Sequence, residues 1–574
     1  YMLSPCFCSL KRKGNTIMKQ MASFFHLLMR AFLPISALIV LVLVLFLNPY
    51  NYLSIFVIII AGFFVALGIK DRLQTSSTLL RNYPVIAWIR HIFYDLRPFL
   101  RQYIVEDDLE GTPYSFEARN LIYARSQGKS DTRPLGTERN VKEDGYTWVC
   151  HSMAPKSQPD TKPRVTIGNE QSSQPYEASL LNISAMSFGA LSGRAVEALN
   201  KGAKIGDFYH DTGEGGLSEY HKKHGGDIVW ELGTGYFGCR DEHGNFDPKQ
   251  FADTAQSEQV KMTEIKLSQG AKPGHGGLLP GSKVTEEIAR TRKVPAHEDC
   301  LSPAGHSAFS TPVELLEFAQ HMRELSGGKP VGLKLCVGMP HEVMALGKAM
   351  LSTEIYPDFI VVDGAEGGTG AAPNELSDWV GMPLEDGLVM MQYMLVGTGL
   401  RKHIKLGASG KIYNGMGMAK HIALGADWCN AARAFMFSIG CVQAKRCDKG
   451  TCPTGITTQD PQRQRSLDIE IQSQRAALFH SKTLAALGEI VGSCGGVHPS
   501  ELDPHQIITR IDAAQSKSIM EVHPFLPPNS LLDTPGDTAY CDWWEAASKD
   551  TFKPIKNLTD AMGTTLLAHK RGHY

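Results

Sequence analysis

From Leu180 to about Val497, short and nearly continuous apolar runs alternate with helical stretches, and no other feature restricts the fold as much. The candidate strands are Leu180–Ser184, Ile228–Leu232, Val331–Leu335, Phe359–Asp363, Ile404–Ala408 and Asp427–Ala431. Continuous apolar runs suit parallel strands covered on both faces. Between them, Thr311–Leu325 carries Val313, Leu315, Leu316, Phe318, Met322 and Leu325 at helical spacing. Such alternation implies a (β/α)8 barrel or an open doubly wound sheet.

The loops after the strands favour the barrel. They read SAMSFGALS (Ser184–Ser192), DTGEGG (Asp211–Gly216), QGAKPGHGG (Gln269–Gly277), DGAEGGTGAAP (Asp363–Pro373) and ASGKIYNG (Ala408–Gly415). A barrel gathers loops from every strand into one site at its C-terminal face, whereas an open sheet gathers them at one crevice. Glycines let backbone N–H groups approach an anion closely, although tight turns also need them. A helix pattern with Met416, Met418, Ile422 and Leu424 follows ASGKIYNG, and NAARAF (Asn430–Phe435) comes next. Barrels commonly bind phosphate after strands seven and eight, so a phosphorylated cofactor is expected there.

Lys334 sits inside the apolar strand GLKL. A cation pointing into a barrel mouth is costly unless it faces an anion. Reduced flavin carries negative charge near N1 and the C2 carbonyl, which fits FMN. A structural pairing with Asp363 or Glu366 is the alternative role.

Cys441, Cys447 and Cys452 stand in the spacing C-x5-C-x4-C inside GCVQAKRCDKGTCPTG, with Pro453 after the last. Iron in a cluster needs soft thiolates brought together by a bent segment, because a helix or strand of this length would scatter them. The loop therefore reads as an iron–sulfur ligand set, against the alternative of three small buried residues.

Ahead of the barrel pattern lie two uncharged apolar runs, Ala31–Asn48 and Tyr52–Ile69, joined by a turn-like link. Each is near the length that crosses a bilayer, so a transmembrane hairpin is expected. Lys11, Arg12, Lys13, Lys19 and Arg30 precede it, and Lys70, Arg72, Arg81 and Arg90 follow it. Both ends are therefore expected on the cytoplasmic side, where thiols stay reduced. Residues 1–30 read as a leader, with Met18 or Met21 as candidate starts. Residues 70–179 read as a cytoplasmic collar, 180–497 as the barrel with its cysteine loop, and 498–574 as a packing tail. A formal charge of −1, with no basic stripe, excludes a nucleic-acid role.

The motifs SAMSFGALS, TGEGG, KLSQGAKPGHGGLLPG, LSP, GLKL, EGGTGAAP and CVQAKRCDKGTCPTG, in that order, resemble the FMN-binding synthase domain of glutamate synthases. The resemblance is closest to the stand-alone, membrane-anchored type and covers Leu180–Val497. It implies a (β/α)8 barrel holding FMN and a [3Fe–4S] cluster, with Cys441, Cys447 and Cys452 as metal ligands. The implied reaction is reduction of 2-iminoglutarate, formed from 2-oxoglutarate and ammonia, by hydride from the flavin to give L-glutamate. Met186 and Ser187 would contact the flavin ring, Gln269 and Lys272 would serve flavin or 2-oxoglutarate, and Lys334 would sit by N1. Gly367, Gly368, Ser409 and Gly410 would meet the ribityl chain or phosphate. Glu214 would face the substrate and shuttle a proton.

Three positions depart from the large glutamate synthases: His275 stands for Glu, Glu366 for Asp and Asp211 for Asn. No pyridine-nucleotide-binding unit and no glutaminase segment with a nucleophilic Cys are read in these residues. Ammonia and electrons are therefore expected from partners, the electrons from ferredoxin or a membrane donor, and assembly as a homo-oligomer is compatible with these residues. Two other functions are consistent with the same residues: an amine-transferring synthase forming an N-alkylglutamate, or a membrane-tethered electron-transfer subunit without turnover. Glu214, Gln269, Lys272 and Lys334 argue against the last.

Overall fold

The computed structural model describes residues 35–44, 51–157 and 159–556. The chain divides into two compact units, one running to Phe116 and the other starting at Glu117. In the first, helix α1 (Tyr52–Leu73) begins at Asn51, whose side chain accepts from Leu53 N–H, and carries basic residues only in its last turn. It is the one described helix long and apolar enough to cross a membrane. The preceding apolar run is described only over Ile35–Val44, and the leader lies outside the described residues. A second helix, α2 (Ala87–Leu100), follows.

In the second unit eight parallel strands close into a barrel. They are β1 (Leu181–Ile183), β2 (His210–Asp211), β3 (Ile228–Leu232), β4 (Val260–Lys266), β5 (Val331–Leu335), β6 (Phe359–Asp363), β7 (Lys405–Ser409) and β8 (Trp428–Ala431). Each bonds to its neighbour in sequence, and Ala431 of β8 registers with Ile183 of β1 to complete the ring. Closure excludes the open sheet. All residues of β3, β5 and β6 are buried, as near-continuous apolar strands require when side chains fill the inside and helices cover the outside.

The outer layer forms for local reasons. Helix α3 (Gly193–Gly206) starts at Ser192, whose hydroxyl accepts from Ala195 N–H. Helix α4 (Pro312–Leu325) starts at a capping box in which Thr311 and Glu314 each accept from the other's backbone. The long helix α5 (Ile469–Ser493) lies so close to α3 that a Cβ on Gly202 would stand 2.9 Å from Ser473 O. Residues flanking the barrel also meet: Thr147–Val149 pairs antiparallel with Ile507–Arg510, which pairs with Ser516–Ser518.

Six of the eight strands coincide with the sequence expectation to within a residue or so at each end. Strands β2 and β4 are additions.

Candidate active site

Four inward side chains from successive strands meet inside the barrel. Asp211 ends β2, Glu231 lies on β3, Glu264 on β4 and Lys334 on β5, and none is more than 4% exposed. Carboxylate oxygens of Asp211, Glu231 and Glu264 lie within 4.8 Å of one another, and Lys334 Nζ donates to Glu231 Oε2 at 2.7 Å. One lysine cannot balance three ionised carboxylates in a sealed interior, so protons must remain on the trio. Burial first, and Glu231 second, push Asp211 up to about 7, and burial with Asp211 raises Glu264 well above the usual range. Glu264 Oε1 is buried with no hydrogen-bond donor facing it, as fits a carboxyl that keeps its proton. Lys334 stays charged because the surrounding carboxylates outweigh its burial.

Above this floor, the loop after β2 carries Glu214, which accepts from Lys266 Nζ at 2.9 Å. Lys266 ends β4 and registers beside Lys334. Burial opposes ionisation of Glu214, but Lys266, Lys272 and Arg292 overcome it and hold the carboxyl at about 2. Lys272, 7% exposed, is shifted toward its neutral form: burial lowers its pKa and Glu214 only partly restores it. Glu214 is therefore a fixed carboxylate, and Lys272 is the group in this cluster that gives up a proton more readily than a free lysine.

The surrounding loops are locked by backbone contacts. Gly213, at φ +64°, lies under Met186 and Ser187, where any Cβ would stand 2.6 Å from Ser187 N. Met186 is buried and Ser187 half-buried. Gln269 is half-buried at the start of its loop, and the next residue, Gly270, donates its N–H to Asp363 Oδ2 at 2.8 Å. That carboxylate joins the β4 loop to the β6 loop, where Gly367 is half-buried and Gly368 exposed. Arg433 donates to Glu366 O at 2.7 Å, and the Glu366 carboxylate accepts from Leu384 N–H at 3.1 Å. His275 is exposed and reaches Gly276 O.

At the end of β7, buried Ser409 lies 3.2 Å from Ser184 Oγ. Gly410 and Lys411 follow with φ of +155° and +49°. Burial first and the charge of Arg433 second lower the pKa of Lys411. Two cations beside a left-handed turn and glycine loops are a donor set for a phosphate, and FMN fits it. Asn414 caps the next helix by accepting from Gly417 N–H at 2.8 Å.

The cysteine loop follows β8. Cys441 is half-buried, Cys447 half-buried and Cys452 buried; Cys441 feels the fields of Cys447 and Cys452, and Cys447 that of Cys452. Tyr123 OH donates to Cys441 O at 2.6 Å, and Lys283 Nζ donates to Cys447 O at 2.8 Å. Burial pushes Cys441 up to about 12, whereas the hydrogen bonds of Thr454 and Thr457 outweigh burial at Cys452 and bring it to about 7. The Thr457 hydroxyl is buried in the same loop and lowers the pKa of Cys447 and Cys452. A soft metal centre suits this set of three sulfurs.

Residues 146–496 match the family described as the conserved region in glutamate synthase. The chain belongs to the glutamate synthase family. It is 35% identical over 488 residues to the glutamate synthase large subunit-like protein YerD of Bacillus subtilis, covering 78% of this chain and 92% of that protein. A glutamate synthase large subunit-like protein of Rhizobium meliloti is 29% identical over 67% of this chain and 88% of its own length. The archaeal-type glutamate synthase [NADPH] of Thermotoga maritima is 35% identical over 54% of this chain, which spans 58% of that protein. As a member of the glutamate synthase family the chain is an enzyme, an oxidoreductase of glutamate synthase type.

Sequence reasoning missed Lys266 and Glu231. The available signal was EIKLSQGAKPG, in which Glu264 and Lys266 alternate ahead of the glycine loop.

Proposed function

We propose that this protein binds FMN and an iron–sulfur cluster and reduces 2-iminoglutarate, formed from 2-oxoglutarate and ammonia, to L-glutamate. What supports it is the meeting, at the C-terminal ends of the strands, of an ion-paired floor, a lysine-rich substrate cluster and a cationic phosphate seat. When bound, FMN supplies the two electrons and the hydrogen that the imine carbon needs.

The chain's own residues do the rest. Lys334, fixed by Glu231, would present one positive charge to the flavin ring. Lys411 and Arg433, with the turn at Gly410, would hold the phosphate, while Ser409, Gly367 and Gly368 would line the path to it and Met186 and Ser187 would meet the ring. Lys266 and Lys272 attract the carboxylates of 2-oxoglutarate, with Gln269 alongside. Glu214 keeps these cations in place, and Lys272 hands a proton from Nζ to the imine nitrogen. Cys441, Cys447 and Cys452 would ligate the cluster, a three-iron one on three ligands, fed by ferredoxin or a membrane donor. Tyr52–Leu73 crosses the bilayer, and the apolar run before it forms the other arm of a hairpin with both ends cytoplasmic.

Anaerobically reduced protein mixed with 2-oxoglutarate and ammonium tests the reaction. Flavin reoxidation with formation of glutamate is expected. Absence of both sinks the proposal, and reoxidation only with alkylamines moves the assignment to an N-alkylglutamate synthase.

A further inference from the structure

Helix α2 (Ala87–Leu100) has an apolar half made of large side chains that nothing in its unit covers. At 3.6 residues per turn, Trp88, Ile89, Ile92, Phe93, Leu96 and Phe99 fall on one side. Ile92 is 54% and Phe93 59% exposed, values opposite to those of a helix seated on a core. The other half carries Arg90, His91, Asp95 and Arg97, with the two arginines together along one border. Arg101, next on that border, pairs with Glu106 at 2.7 Å.

The position of this helix is fixed by a buried clasp. Asp71, in the last turn of α1 and 1% exposed, accepts from Val85 N–H at 2.8 Å and from Trp88 Nε1 at 3.0 Å. The start of α2 is thus bonded to the basic end of α1, next to Lys70 and Arg72. On the reading that α1 spans the bilayer, on which this inference rests, that end lies at the membrane surface. Amphipathic helices with aromatic and aliphatic side chains opposite arginines lie in such surfaces, and basic residues there attract anionic headgroups. A fully aqueous helix would leave its apolar half wetted.

We infer that α2 lies flat in the membrane interface, its Ile92–Leu96–Phe99 side among acyl chains and Arg90 and Arg97 on anionic phospholipid headgroups. The span then does not act alone: α2 sets the height and tilt of the chain leaving the membrane.

The test uses the full chain in bilayers of phosphatidylcholine and phosphatidylglycerol, with p-benzoylphenylalanine introduced singly at Ile92, Phe99, Tyr94 or Ile59. Alkyne-bearing phospholipid should cross-link severalfold more at Ile92 and Phe99 than at Tyr94 on the other half. The double variant Arg90→Gln, Arg97→Gln should lose labelling by the phosphatidylglycerol probe while keeping that by the phosphatidylcholine probe. Equal labelling of both halves, no lipid adduct at Ile92 and Phe99, or a cross-link to a second copy overturns the inference. Position Ile59 reads the span separately: lipid adducts there without any on α2 defeat only the interfacial helix, and none at Ile59 defeats the span as well.

Discussion

Lys334 Nζ lies 2.7 Å from Glu231 Oε2 inside the barrel, with the side chains 5% and 1% exposed. Their separate removal is expected to have unequal effects. Lys334→Met leaves three buried carboxylates without a cation and should cost about 3–5 kcal/mol, the range for breaking a buried pair from one side. Glu231→Gln should cost less, because Asp211 or Glu264 can release a proton and pair with Lys334 instead. Denaturant titration of the two variants distinguishes the outcomes, and equal losses would contradict the shared role of the trio.

The pH dependence of stability carries the signature of Asp211. Its folded pKa of about 7 exceeds the ordinary carboxylate value of 3.8, so its contribution is fully present below pH ~4 and is lost as pH rises through 7. Tyr209, Glu231, Glu264, Lys334 and, through Lys334, Asp363 are the charged or titratable groups around it. Asp211→Asn keeps an acceptor for Gly213 N–H and should flatten the decline between pH 4 and 7. Thermal melts across that window measure it, and parallel curves for the two proteins would refute the assignment.

Glu214 acts on Lys272 as a counter-charge. Removing it by Glu214→Gln leaves burial and Lys266 to depress Lys272 further. The basic limb of the pH profile for substrate-dependent flavin reoxidation should therefore move to lower pH, with a fall in maximal rate of about 10²–10⁴-fold if proton transfer is impaired. An unshifted limb would remove Lys272 from the proton path.

Among the three loop thiols, Cys452 should be alkylated first in iron-free protein, with a midpoint near pH 7, while Cys441 reacts last. Peptide mapping after timed iodoacetamide treatment reads the order. Cys452→Ser should abolish bound iron, measured by elemental analysis, and leave flavin retention intact.

A methyl group at Gly270 would stand 1.9 Å from Gly364 O, so Gly270→Ala must push the β4 and β6 loops apart. A loss of about 1–3 kcal/mol is expected, together with weaker flavin binding. Gly305→Ala, where nothing lies within 4 Å, is the control and should change stability by less than about 0.5 kcal/mol. Equal behaviour of the two would show that the loops are not clamped.

The barrel was legible where its strands were uniformly apolar, as in VGLKL and FIVVD. Strand β4, VKMTEIK, hid because Glu264 and Lys266 point inward into an ion-paired interior, which copies the alternation of a half-exposed strand. Strand β2 has only two residues and leaves no periodicity to detect. At the site, Lys334 and Glu214 stood out as charges among apolar or glycine neighbours. Their partners Glu231 and Lys266 did not, because pairing across strands is set by register, which spacing along one chain cannot express. Along the sequence Asp363 and Glu366 are the evident structural partners for Lys334, and the ring instead brings Glu231 to it.

The cysteine loop is anchored through Tyr123 and Lys283, both made long before Cys441 leaves the ribosome. All eight strands are also complete by Ala431. A nascent chain can thus have the seat waiting when the thiols emerge, and the loop has a surface to settle on at once. Transplanting the cysteines alone into another barrel would carry over the sulfurs without the two hydrogen bonds that tell their backbone where to stop.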